Sequence, residues 1–537
     1  MSSALTDPPR VQPTTLFLSE GWLDLASAAF APIPVDEDTA TRFGLAITDA
    51  PAGVVDTMVL VVDMRTGGIR FDRLAAPESG NPTLRLTREA AARLLLGSAA
   101  DRVGVFETGH NRVSGNLTEV FFLDQVLQHD TGGVLAKLRA LTKGLPDGFG
   151  APSWPPPAAV TPDADDAAAV AAATESLPRT MARLRAELAV STPGAQLYVS
   201  RHGTPVANVG MGTARPGVPF SRRSPTLWYC CAKPFASVAV GWLWERGLLD
   251  PYSPVSAYLP DYTGEGKQTL TLAQLLTHTG PVPTGRDPLH GSLFGPDEQR
   301  RTLVRAMRVP RQSGPPRVNY SQWWAWVLLA EVIEAVDGRD YDRFVTETIL
   351  RPCGIADTTY VRLTDTDFDR VGGTLPVLYV NASGRPAQPT YWFSSRAATT
   401  CALPGVNTRG PMADLGRFLE TLLAGGTAPG GRILAPPTVA ALVARHRNGV
   451  ADRFGNADWG LGFRLECRHL NPDLTSFSRY ASPRSYGHEG LWTAAAFADP
   501  DAGLVVAVHL NGKTRHEQHR ERILAIGDAV YEDLGLA

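Results

Sequence analysis

The stretch Tyr229-Cys230-Cys231-Ala232-Lys233-Pro234-Phe235 decides how this chain is read. Behind it runs an apolar pattern through Val238, Val240, Trp242 and Leu243 that stops at Gly247. That pattern predicts a long buried helix with a glycine at its end. Cys230 and Lys233 then lie one turn apart on one face, with Cys230 at the helix N-terminus. Lysine is scarce, Lys137, Lys143, Lys233, Lys267 and Lys513 being the only five, so one at this spacing stands out. A thiol next to an ammonium and a helix N-terminus is favoured in its anionic, nucleophilic form. Cys231, a free cysteine on an apolar segment, reads as a small core hydrophobe or a support for its neighbour.

Working outward, Met181, Leu184 and Leu188 mark a helix that feeds a hairpin, Gln196 to Ser200 and Thr204 to Val209 around His202-Gly203. Downstream, Tyr320-Ser321-Gln322 precedes a helical pattern of Trp323, Trp324, Val327, Leu328 and Val332. Further on, His488-Glu489-Gly490 precedes Thr493 to Gly503 and an apolar run from Leu504 to Leu510.

These three motifs, in this order, resemble the penicillin-recognising, class C β-lactamase-like family, also called transpeptidase-like. Its members carry Ser-x-x-Lys, then Tyr-x-Asn, then Lys-Thr-Gly or His-x-Gly on an edge strand. Here Cys230 stands in the place of the serine and Gln322 in that of the asparagine. The intervening text is similar as well: Gly247-Leu-Leu-Asp-Pro251, Val255 to Pro260, Leu272-Ala-Gln-Leu-Leu-Thr-His-Thr-Gly280, Val406 to Phe418 and Trp459-Gly-Leu-Gly-Phe463. The resemblance runs from Pro193 to about Gly535. It implies an α/β (α+β) fold, an antiparallel sheet flanked by helices with a helical subdomain, enclosing the site.

The resemblance also implies roles. Acyl transfer needs a nucleophile, a group that takes and returns a proton, and donors for the developing oxyanion. Cys230 is the expected nucleophile, Lys233 its neighbouring ammonium or a base, and Tyr320 the proton shuttle. Gln322 and His488 are expected to orient the acyl group or Tyr320. Gly490 closes the third motif, and the backbone N–H groups of Cys230 and Leu491 are the expected oxyanion donors. An acyl-cysteine is a thioester, which amines attack more readily than they attack oxygen esters, while hydrolysis gains less. The expected activity is therefore acyl transfer, as a transacylase or an amide- or ester-forming enzyme of specialised, natural-product metabolism. A Cys-dependent esterase or amidase and a catalytically silent acyl- or lipid-binding protein are the two alternatives. The acyl donor and acceptor are expected to be small molecules, with a carrier-protein-bound thioester as one possible donor. No metal or organic cofactor is expected.

Residues 14–146 read as a smaller α+β unit. An apolar run spans Val55 to Val62, alternation continues at Ile69 and Phe71, and Leu84-Arg-Leu86 follows. Thr87 then N-caps a helix bearing Ala90, Ala91, Leu94 and Leu95, stopped by Gly97. Arg102 to Asn116 reads as strand and turn, and Thr118 to Gln128 as an apolar helix. The order of Asn81 to Glu89, a helix and Val113-Ser-Gly-Asn116 resembles a sterol-carrier-protein-2-like (SCP2-like) domain, which implies an apolar tunnel; a docking module without ligand is the plainer reading. Residues 147–166, rich in proline and alanine, read as a linker, leaving 167–537 as the catalytic domain.

With 537 residues the chain exceeds a single core and is expected to form at least two units. A hydrophobic share of 44%, a charged share of 20% and a net charge of -3 describe an ordinary globular chain. They supply no basic field for nucleic acid or anionic membrane. The five cysteines form no C-x-x-C pair or disulfide framework, and no run suggests a signal peptide or a membrane span, so a reducing cytoplasm is expected. The tryptophans Trp228, Trp242, Trp244, Trp323, Trp324 and Trp326 flank two motifs; core packing is favoured over an acyl-binding wall. His516-Glu-Gln-His519 lacks the spacing of a zinc-binding helix and reads as a solvated C-terminal helix. No Gly-x-Ser-x-Gly elbow, P-loop or complete dinucleotide fingerprint occurs.

Overall fold

In the computed structural model the chain divides into two compact units, Met1–Pro155 with Ala382–Tyr391, and Pro156–Asn381 with Trp392–Ala537. The structure describes residues 15–33, 42–50, 58–64, 69–74, 83–97, 101–102, 105, 112–114, 127, 133–145, 164–264, 266–280, 297–309, 318, 320–380, 387–452, 455, 457–470 and 472–537.

In the first unit α1 (Glu20–Phe30) precedes strands β1 (Arg42–Ile47), β2 (Met58–Asp63), β3 (Arg70–Leu74) and β4 (Thr83–Leu86). Then come α2 (Arg88–Leu96), β5 (Arg112–Ser114) and α3 (Val134–Leu141). The five strands lie in the order β3-β2-β1-β4-β5, with β1 and β4 parallel and the other neighbours antiparallel. Thr87 caps α2 by accepting from the Ala90 N–H, as its sequence position predicts. Asp101, Arg102 and Val105 are helical, whereas alternation alone reads strand from Arg102; among the described residues of that stretch, only β5 is extended. The helix expected over Thr118 to Gln128 lies outside the described residues, apart from Leu127, and the expected linker lies outside them up to residue 163.

The second unit opens with α4 (Ala164–Ser176) and α5 (Pro178–Val190), followed by β6 (Gly194–Arg201), β7 (Thr204–Arg215), β8 (Val218–Pro219) and β9 (Thr226–Leu227). A 3-10 turn, Tyr229–Ala232, leads into α6 (Lys233–Trp244), and α7 (Leu272–Thr277) and α8 (Trp324–Asp337) belong to the helical part. The chain continues through β10 (Arg409–Gly410), α9 (Met412–Leu423), β11 (Arg464–Leu465), β12 (Tyr486–Gly490), β13 (Ala494–Asp499), β14 (Leu504–Leu510) and α10 (His516–Asp533). Seven strands form one antiparallel sheet in the order β8-β7-β6-β14-β13-β12-β11.

Strand β6 is buried on both faces, and its period of two sorts the contacts. Ala195, Leu197 and Val199 join Leu177, Met181 and Leu184 around α5 and Ile523, Ile526 and Val530 of α10 in one core. Gln196, Tyr198 and Ser200 point the other way: the Gln196 amide donates to Ser221 O and accepts from the Met412 N–H, while Tyr198 and Ser200 donate to Glu420 of α9. The C-terminal helix is therefore half core. His519, Arg522, Ile523 and Tyr531 are buried, which corrects the solvated reading. Charged residues mask its apolar stripe in the sequence, and the Arg522 guanidinium is accommodated by the carbonyls of Trp492 and Gly512.

Candidate active site

Cys230 does not sit in the first turn of an α-helix. It lies in the 3-10 turn, and α6 starts only at Lys233. Pro234 supplies the reason. It has no N–H to return to the Cys230 carbonyl, so that carbonyl accepts instead from the Lys233 N–H three residues on. Tyr229, just before, holds a left-handed backbone at φ 48°, a conformation costly for an aromatic residue. Cys230 is partly exposed, while Cys231 is buried with its thiol donating to the His488 carbonyl at 3.2 Å. Burial and the neighbouring Cys230 push the Cys231 thiol well above its usual range. The two adjacent cysteines thus divide into one open to the site and one that ties the turn to β12.

Lys233 is fully buried, and its Nζ donates to Gln322 O at 3.1 Å and Gly405 O at 3.2 Å. It lies 5.5 Å from the Tyr320 ring centroid and 5.1 Å from that of Trp326. Gly405 has to be glycine: its φ is 76°, and a Cβ would stand 2.9 Å from Trp326 Cγ and 3.1 Å from Lys233 Cγ.

The turn Tyr320-Ser321-Gln322 is pinned from several sides. Lys233 holds the Gln322 carbonyl, the Trp326 indole donates to Ser321 O at 3.2 Å, and the Ser321 N–H donates to His278 Nδ1 at 3.1 Å. Tyr320 makes a side-chain hydrogen bond with Cys230. Burial first, then the charge of Cys230 and that hydrogen bond, hold the phenol well above its ordinary range, so it stays protonated. Gln322 turns its side chain aside, accepting from the Trp323 indole at 3.2 Å. Its carbonyl, not its amide, is what meets the site lysine.

His488 lies on β12. It donates through Nδ1 to Glu489 O at 2.7 Å, which leaves Nε2 with the lone pair in the neutral ring. Burial, with Lys233 as the next contributor, keeps that ring's pKa well below 6.5. Its centroid is 6.2 Å from Tyr320 and 5.3 Å from Trp459. The two-residue β11 pairs only Tyr486 and Gly487, so the stretch from His488 onward runs past its end beside the Cys230 turn. The approach is close. A Cβ on Gly490 would stand 2.4 Å from Trp228 O and 3.1 Å from Tyr229 Cβ. Leu491 and Trp492 follow with positive φ, 36° and 57°. Among the described residues, neither the Cys230 nor the Leu491 backbone N–H donates to a backbone acceptor.

All the residues expected to form the site therefore fall in one place, on the second unit. Trp326, one of the tryptophans that flank the motifs, belongs there too, as do His278 and Trp459, which the motif reading misses. His278 and Trp459 lie in stretches whose sequence reads as framework, and their rings meet only through folding. Trp326 was readable in principle, being one turn beyond Gln322 on a helix. Of the other tryptophans, Trp228, Trp323 and Trp324 are buried, and Trp242 and Trp244 pack on Phe344 and Tyr252.

Residues 177–531 match the Beta-lactamase family. The chain belongs to that family. One curated relative, "Putative D-alanyl-D-alanine carboxypeptidase" of Escherichia coli (strain K12), is 25% identical over 298 residues, 50% of this chain. The chain spans 64% of that relative's length. A penicillin-binding protein homolog from Caulobacter crescentus shares the fold with a TM-score of 0.54 and 22% identity, covering 67% of this chain and 98% of the homolog. EstCE1, a hydrolase with promiscuous acyltransferase activity, aligns with a TM-score of 0.55 and 21% identity over 67% of this chain and 99% of its own. No helix among the described residues is long and apolar enough to cross a membrane.

Proposed function

We propose that this protein is an acyltransferase that carries its acyl group as a thioester on Cys230. The Cys230 sulfur anion attacks the donor's carbonyl carbon and a C–S bond forms, with the oxyanion facing the backbone N–H groups of Cys230 and Leu491. The bond to the leaving group then breaks, and the Tyr320 phenol supplies that group's proton. An amine, alcohol or thiol adds to the thioester, the C–S bond breaks, and the acceptor's proton returns to Tyr320. Lys233 and Gly490 hold this arrangement, and Gln322 and His488 flank it. The observation that carries the reading is the contact of a protonated Tyr320 with a partly exposed Cys230, one turn from Lys233. A thiolate needs no base to become nucleophilic, so a tyrosine kept protonated suits it as the acid.

Transfer is favoured over hydrolysis because a thioester partitions toward amines, and the acyltransferase activity of EstCE1 supports this direction. A small-molecule donor, or an acyl thioester on a carrier protein, supplies the acyl group, in keeping with a role in specialised metabolism. The first unit, read as sterol-carrier-like, is the proposed acyl-holding module. A free thiol nucleophile works in a reducing compartment, and the cytoplasm is the proposed location.

The test is intact-mass analysis after incubation with p-nitrophenyl butyrate. The wild type and Cys231→Ala should gain one butyryl group, released faster by added amine than by water, and Cys230→Ala should gain none. A butyryl group mapped to another residue, or an adduct that persists in Cys230→Ala, refutes the assignment.

A further inference from the structure

The geometry points to His278 as a positioning residue for Tyr320, a role that rests on the Cys230–Tyr320 reading above. His278 ends α7 with a left-handed backbone, φ 59°, while a capping box of Thr271 and Gln274 fixes the other end of that helix. A histidine bent into this conformation is held there by its surroundings. Its ring is buried, 4.4 Å from the Tyr320 centroid at 37°, with Trp459 edge-on at 4.7 Å and Trp326 at 5.9 Å. Through Nδ1 it accepts the N–H of Ser321, the residue directly after Tyr320. One side chain thus fixes both the ring face and the backbone of the proton donor.

The hydrogen bond also fixes the tautomer. Because Nδ1 accepts, the neutral ring carries its proton on Nε2, which has no hydrogen-bond partner among the described residues. Burial first, then Arg447, Lys233 and His488, push the imidazole well below its usual range, so it is neutral at working pH. A neutral wall beside Tyr320 leaves the phenol protonated, whereas an imidazolium there would draw it toward ionisation.

The test uses burst acylation by p-nitrophenyl butyrate, with iodoacetamide labelling of Cys230 and thermal melting as controls. His278→Ala leaves the buried Ser321 N–H without its acceptor and lets Tyr320 drift. The expected result is an acylation rate constant lowered roughly 10- to 100-fold with KM nearly constant. His278→Asn places an oxygen near the position of Nδ1 and tolerates the left-handed backbone, so it should recover most of the rate. His278→Gln, whose oxygen reaches too far, should not; that pair decides the matter if His278→Ala does not fold. In a Tyr320→Phe background, removing His278 should add little, because the two act as a unit.

Independent, multiplicative losses for His278 and Tyr320, or equal rates for His278→Asn and His278→Gln, overturn the proposal while leaving Cys230 chemistry intact. Should Tyr320→Phe alone acylate at the wild-type rate, the reading of Tyr320 fails, and the role of His278 with it.

Discussion

Replacing Gly490 by alanine separates the two strands of backbone that are proposed to hold the oxyanion. The new Cβ would lie 2.4 Å from the Trp228 carbonyl oxygen, and real Cβ atoms essentially never come under 3.0 Å, so at least 0.6 Å of relief is needed. The obstacle is backbone, and Trp228 cannot yield easily: its N–H donates to Thr408 O and its indole to Gly410 O at 2.8 Å. The movement therefore falls on β12 and on Leu491, the residue after Gly490. Overpacking of this kind costs about 1–3 kcal/mol of stability. Productive oxyanion geometry tolerates about 0.5 Å, and losing one donor costs roughly 10²–10³ in rate. Acylation by p-nitrophenyl butyrate should fall by about two orders of magnitude. Alkylation of Cys230 by iodoacetamide, a displacement at carbon that builds no oxyanion, should stay close to wild type. The contrast between two electrophiles on one sulfur makes the test specific. If the variant melts near the wild type and acylates at an undiminished rate, the oxyanion assignment is wrong; if both reactions collapse together, the substitution has damaged the nucleophile instead.

Two further outcomes follow from the same geometry. Leu491→Gly should raise the melting temperature, since releasing a side chain from φ 36° recovers on the order of 1 kcal/mol, yet slow acylation because the donor loses its fixed direction. A melting scan beside a burst assay reads both, and a variant that is no more stable contradicts the strain argument. The pH dependence of stability is set by the buried histidines His278, His488, His509 and His519, all depressed mainly by burial, His509 to about 3. The unfolded chain binds protons below about pH 6.5 while the folded chain does not. Their stabilisation is whole above that pH and is lost as the pH falls toward 3, at about 1.4 kcal/mol per pH unit for each histidine. The melting temperature should therefore be markedly lower at pH 5 than at pH 7.5, and equal values would refute the assignment.

Much of the architecture is local information. The apolar run after Lys233, the Thr87 cap, the hairpin around His202-Gly203 and the alternation in β6 are each fixed by side chains within a few residues, so periodicity and capping chemistry expose them. The C-terminal helix misleads the same reasoning, because the burial of Arg522 depends on the carbonyls of Trp492 and Gly512, which lie outside the helix. The three motifs also stand out in the sequence, since their side-chain types are chemically unusual for the segments that carry them.

Sequence by itself determined the fold class and the order of the motifs. Only the tertiary structure decided that Cys230 rides a 3-10 turn, that Cys231 is an anchor and that Gln322 contributes a carbonyl. It alone brought His278, 43 residues before Ser321, and Trp459 against Tyr320. The physical reason is range. Periodicity and caps are written within one or two turns of chain, whereas the contacts that gather Tyr320, His278 and Trp459 join segments whose separation along the chain carries no local signal.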